Sequence, residues 1–146
     1  MLLTRRELTM LMPALAAAVQ TPAVPAPAKA GAGGSLTVRH EDVTPSRNGP
    51  MTSRQMLRTH THSGYRIDMH ETELPAGEAP HPPHQHVHEE MMLIREGTME
   101  VTIAGATTRL GPGSCVYVAS SQMHGWRNAG TTTARYFVLA LGEDTA

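Results

Sequence analysis

From Leu36 onward the chain alternates apolar and polar residues over short runs, each closed by glycine, proline, asparagine or serine. Alternation with a period of two is what a strand with one buried face requires. It predicts strands over residues 36–40, 65–74, 89–95, 98–104, 114–118 and 134–141. Turn signals fall at Asn48-Gly49-Pro50, Pro75-Ala76-Gly77, Glu96-Gly97, Ala104-Gly105, Gly111-Pro112-Gly113 and Ala129-Gly130. No window in this part of the chain holds a helical period between caps, and no internal repeat divides it. Evenly spaced strands over about 110 residues predict one all-β sandwich or barrel, most economically a jelly roll.

The first thirty residues follow a different pattern. Arg5 and Arg6 precede an apolar run from Leu8 to Val19 that only Thr9 and Pro13 interrupt, and Ala28-Lys29-Ala30 follows. A basic start, an apolar middle and a small-x-small end make an export signal. The run falls short of the roughly 20 apolar residues that span a bilayer, so no transmembrane helix is expected in the mature chain. Thr4-Arg5-Arg6-Glu7-Leu8 also resembles the twin-arginine export motif, which implies a periplasmic protein whose mature chain begins between Val19 and Gly31. If residues 1–30 are not a signal, the protein stays in the cytoplasm. The expected organisation is an export signal and Ala/Pro linker over 1–30, an N-terminal arm with short strands over 31–59, and a barrel over 60–142.

Composition narrows the functions. A net charge of −1 gives no bulk attraction to nucleic acid or anionic lipid. The single cysteine, Cys115, excludes an intramolecular disulfide and a cysteine-rich zinc module. Aromatic residues are only 3%, and the 10 methionines fill volume that phenylalanine would otherwise take. Histidine is the outlier. There are 9, and five of them lie between His81 and His124.

Their spacing carries the chemistry. In an extended strand residues i and i+2 face one side, so His84 and His86 converge, and Glu90 reaches the same face. His124 arrives from a separate segment after the Gly111-Pro112-Gly113 turn. Three imidazoles and one carboxylate suit a divalent first-row metal and leave two octahedral positions open for substrate, or for water and dioxygen.

These residues resemble the two motifs of the cupin superfamily. Gly77, His84, His86, Glu90 and Gly97 match the first, with three residues between His86 and Glu90 and six between Glu90 and Gly97. Gly113, His124 and Asn128 match the second in register. The spacer after Gly77 is one residue longer than usual, and Ala119 and Ser121 stand where the family has proline and glycine. The resemblance covers roughly residues 60–142. It implies a single-domain cupin: a double-stranded β-helix, or jelly-roll barrel, with metal held by His84, His86, Glu90 and His124.

Neighbouring residues have plainer readings. Strand parity puts His88 on the ligand face, but the family pattern gives it no ligand role, so a supporting hydrogen bond or simple exposure is expected. His81, among Pro80, Pro82 and Pro83, is expected exposed on a stiff loop. His60, His62 and His70, near Tyr65, read as a solvated strand edge rather than a proton shuttle. Cys115 reads as a small buried residue. Met92 and Trp126 are candidate binding residues lining the pocket, with core packing the competing role for each, and no catalytic residue can be named.

The family implies either an enzyme acting on a small organic molecule (an oxygenase, decarboxylase or isomerase) or a non-catalytic cupin that binds or stores a small ligand. Metal serving only to pin the barrel is a third reading, less suited to an open octahedral site. Mn or Fe is favoured, because a folded barrel exported by the twin-arginine route selects its ion in the cytoplasm; Zn, Ni, Co and Cu also fit an N/O site. A homodimer is expected, with the segment from Leu36 to Leu57 adding to a partner's sheet.

Overall fold

The computed structural model describes residues 33–142; the signal sequence expected over 1–30 lies outside them. Nine strands follow in chain order: β1 Ser46–Asn48, β2 Met51–His60, β3 Arg66–Leu74, β4 Glu89–Glu96, β5 Met99–Ile103, β6 Ala106–Leu110, β7 Cys115–Val118, β8 His124–Asn128 and β9 Ala134–Gly142. A 3-10 turn at His40–Asp42 is the only helical element among the described residues. The strands form a six-stranded sheet, in the order β1-β2-β3-β9-β4-β7, and a three-stranded sheet, β6-β5-β8, all antiparallel. The protein is all-β, with the strand layout of a jelly roll.

The core lies between the sheets. Along β4 the burial alternates, with Met92 and Ile94 inside and Met91, Leu93 and Arg95 outside. Across the register Met92 meets Val116 and Val138, and Ile94 meets Tyr136. From the smaller sheet Met99, Val101 and Trp126 join the same cluster. The scarcity of phenylalanine is made up by methionine, whose unbranched chain fills irregular gaps. Gly97, in the β4–β5 turn, has φ +85°, and a Cβ there would lie 2.7 Å from Ala134 Cα, so the turn packs only with glycine.

The expected strand at 36–40 is absent. Leu36 and Val38 are half-buried while their neighbours are exposed, but these residues make no ladder, and the 3-10 turn begins at His40. Alternation records which side chains pack down, and a coil lying on a surface produces it as well as a strand does. β2 is the largest element not foreseen. It pairs along its whole length with β3 of the same chain, so the arm segment occupies its own sheet.

Candidate metal centre

β4 brings Glu90 from the six-stranded sheet and β8 brings His124 from the smaller one, so the centre lies between the two layers. His84 is fixed to His124 by an isolated antiparallel bridge, with each backbone N–H donating to the other's carbonyl at 2.9 Å. Gly125 lets the loop approach this closely, because a Cβ there would stand 3.1 Å from Pro83 Cα. His86 is tied down by the Ser121 N–H, which donates to its carbonyl at 2.8 Å. Residues 84–88 are not one regular strand; the chain bends at Val87 and His88 before β4 begins. The convergence of the histidines therefore comes from this bridged loop more than from strand parity.

The donor atoms of His84, His86 and His124 lie within 4.8 Å of one another. Glu90 Oε1 is 3.3 Å from His86 Nε2, and Glu90 Oε2 is 3.3 Å from His124 Nε2. Hydrogen bonds set two of the tautomers. His86 Nδ1–H donates to the His88 carbonyl and His124 Nδ1–H to the Gln122 carbonyl, each at 2.8 Å, leaving each Nε2 with a lone pair facing the cluster. Burial, reinforced by the imidazoles of His81, His124 and His86, holds the pKa of His84 below its ordinary value, in the neutral form a metal needs.

A metal is the natural partner for these atoms. His84 Nδ1, His86 Nε2, Glu90 Oε2 and His124 Nε2 are buried and lack hydrogen-bond partners. Unpaired buried polar atoms are costly, and a cluster of four such nitrogen and oxygen atoms is compatible with a divalent cation. His88 is the competing donor, since its Nε2 lies 3.6 Å from Glu90 Oε1 and it groups with His86 and Glu90. Its ring stacks on that of His86 at 3.6 Å, and its carbonyl sets the His86 tautomer.

Residues 70–140 match the family model for the cupin domain. The fold is a cupin fold. Among solved structures it is shared with an RmlC-like cupin from Shewanella frigidimarina (16% identical, 72% of this chain and 88% of that one covered, TM-score 0.62). It is shared with the polyketide cyclase RemF from Streptomyces resistomycificus (25% identical, 73% and 79% covered, TM-score 0.60). A third, from Thermotoga maritima, is described as a predicted oxalate decarboxylase (19% identical, 73% and 99% covered, TM-score 0.64). No curated protein sequence matches the chain.

Around the site Trp126 is buried, with its ring 5.6 Å from that of His124, and its Nε1–H donates to Tyr136 Oη at 3.2 Å. Burial pushes the Tyr136 hydroxyl up to about 12. Met92 lies fully inside the core cluster. Asn128 is a structural latch: its Nδ2 donates to the Leu74 and Thr132 carbonyls and its Oδ1 accepts from the Gly130 N–H. Ser121 has φ +61°, which explains why glycine suits this position.

Three expectations about single residues need correction. His81 is half-buried rather than exposed, with its ring centroid 4.3 Å from that of His84 and 5.8 Å from that of Trp126, both edge-on. Cys115 is exposed, because its parity on β7 is opposite to that of buried Val116 and Val118. His70 parts company with exposed His60 and His62 and lines a cavity of about 290 Å³ beside Glu90. Gln55, Arg58, Arg66 and Asp68 line it too and were not picked out from sequence; the available signal was Arg66, Asp68 and His70 alternating as polar residues at the start of β3.

Proposed function

We propose that this protein is a metal-dependent cupin that acts on a small organic molecule, with His84, His86, Glu90 and His124 as the metal ligands. The observation that carries the reading is the set of four buried donor atoms without partners, all from the residues that match the family's motifs. The metal would polarise an oxygen of the substrate and orient it. The protein's part is to keep the His84 imidazole neutral by burial, to fix two tautomers through backbone carbonyls, and to offer the adjoining cavity. The neighbours named as a polyketide cyclase and a predicted oxalate decarboxylase support chemistry on small oxygen-rich molecules. The accompanying proposals are Mn or Fe as the native ion, a homodimer, and export through the twin-arginine route.

The test is the metal content of purified variants. His86→Ala and Glu90→Ala are expected to lose stoichiometric metal and melt lower. His81→Ala, which removes a ring packed on the site but not a ligand, is expected to keep the ion. Full occupancy in His86→Ala protein would remove the assignment.

A further inference from the structure

The inner face of the barrel beside Glu90 is not built as core. Across the larger sheet one register row runs Arg58, Asp68, Ala140, Glu90, Val118, and the next runs Gln55, His70, Val138, Met92, Val116. The β9, β4 and β7 positions are apolar apart from Glu90, whereas all four on β2 and β3 are polar. Gln55 and Arg58, three residues apart, would face opposite sides of a regular strand. A bulge between Gln55 and Leu57 absorbs one residue and brings both onto this face. Bulges re-aim side chains in this way next to functional sites. Ala140, small and placed between Asp68 and Glu90, helps leave room for the cavity.

The polar groups are ordered. Arg58 donates Nε–H to Asp68 Oδ2 at 2.9 Å and an Nη2–H to Gln55 Oε1 at 3.0 Å. Gln55 in turn donates to Asp68 Oδ1 at 2.6 Å. Asp68, which also accepts from Arg66 at 3.0 Å, is thus engaged by three donors. Arg58 uses two of its five N–H donors, is 63% exposed, and keeps the others for a guest. The His70 side chain has no hydrogen bond among the described residues and borders the same cavity.

We infer that this cavity binds a small carboxylate, held at one end by Arg58 and His70 while its other end faces the metal side at Glu90. The inference rests on the metal reading above and names its substrate class. A guanidinium held in place from behind presents its planar fork to a carboxylate with little further ordering. Asp68 positions Arg58 without repelling the guest, because its charge is already compensated. The Asp68 and Glu90 backbones sit two strand spacings apart, about 10 Å, which sets the width of the cavity between Arg58 and the metal side.

The test titrates oxalate, malonate, succinate and glutarate into metal-loaded protein, followed by calorimetry and thermal shift, with metal content measured on the same samples. The diamides of these acids and inorganic phosphate are the comparison probes. At least one diacid is expected to bind and raise the melting temperature while its diamide does not. Arg58→Gln should weaken that diacid about tenfold with metal content unchanged; Arg58→Lys should weaken it less. Three results would overturn the inference: no diacid binds to protein carrying full metal, the diamide or phosphate binds as tightly, or Arg58→Gln leaves the affinity intact. Wild-type protein that takes up no stoichiometric metal would instead defeat the metal reading, and the Arg58 dependence would still be read from the same titration.

Discussion

Ser121 is a residue whose backbone works against its side chain. It holds φ +61°, and the N–H it offers to the His86 carbonyl helps place that histidine. A left-handed non-glycine residue costs about 1–2 kcal/mol, part of which glycine returns as entropy in the unfolded chain. Ser121→Gly is therefore expected to raise stability by about 0.5–1 kcal/mol in denaturant melts without loss of metal; destabilisation would show that the serine side chain has a role of its own. His70 gives a pH prediction. Burial, the largest influence, depresses its folded pKa. Its contribution is complete above the unfolded value of about 6.5 and is lost as pH falls through the folded value. Urea midpoints measured from pH 7.5 to 5 should fall less steeply in His70→Gln than in the parent. The clustering of His84, His86 and His124, with Glu90 beside His86 and His124, could be read from spacing because each residue has a fixed place relative to its neighbours. His70 could not, because its role depends on a face of β3 that only the pairing with β2 and β9 defines.

At the scale of elements, β8 joins the smaller sheet to the loops that carry the site. Its last residue, Asn128, is fully buried and ties three backbone groups, while its own N–H and C=O bond Glu78 and Gly77. Asn128→Ala would strand several buried groups and is expected to cost about 3 kcal/mol in chemical denaturation. A loss under about 0.5 kcal/mol would mean that water replaces the amide, and the latch reading would fail. β4, β5, β7 and β9 were legible because one face of each is buried and mostly apolar, and β3 because Ile67 and Met69 alternate with Arg66, Asp68 and His70, although its buried residues include Glu71 and Thr72. β2 was not, since Arg54 on one side pairs with Glu73 while Gln55 and Arg58 on the other line the cavity, and the bulge breaks the period of two. β6 was missed for a simpler reason: it is an edge strand, exposed along nearly its whole length.

For the whole molecule the outer face of the larger sheet is the feature still unmatched. Met91, Leu93 and Tyr117 are 41%, 47% and 54% exposed and adjoin through the β4–β7 register. Grouped apolar exposure of this kind marks an interaction surface more often than bare solvent. The proposed homodimer would cover it, so light scattering should return twice the chain mass for the parent and one chain mass for Leu93→Glu, with metal content the same in both. The proposed export route is tested separately: Arg5 and Arg6 changed together to Lys should leave precursor inside the cell. The account stands or falls on one ion in one place. Anomalous X-ray scattering from crystals of the protein as purified, collected at the absorption edge of the metal found by elemental analysis, measures this directly. A single peak bonded to His84, His86, Glu90 and His124, with positions open toward the cavity, is the predicted result. A peak elsewhere, or one bonded to His88 in place of His84, would contradict it.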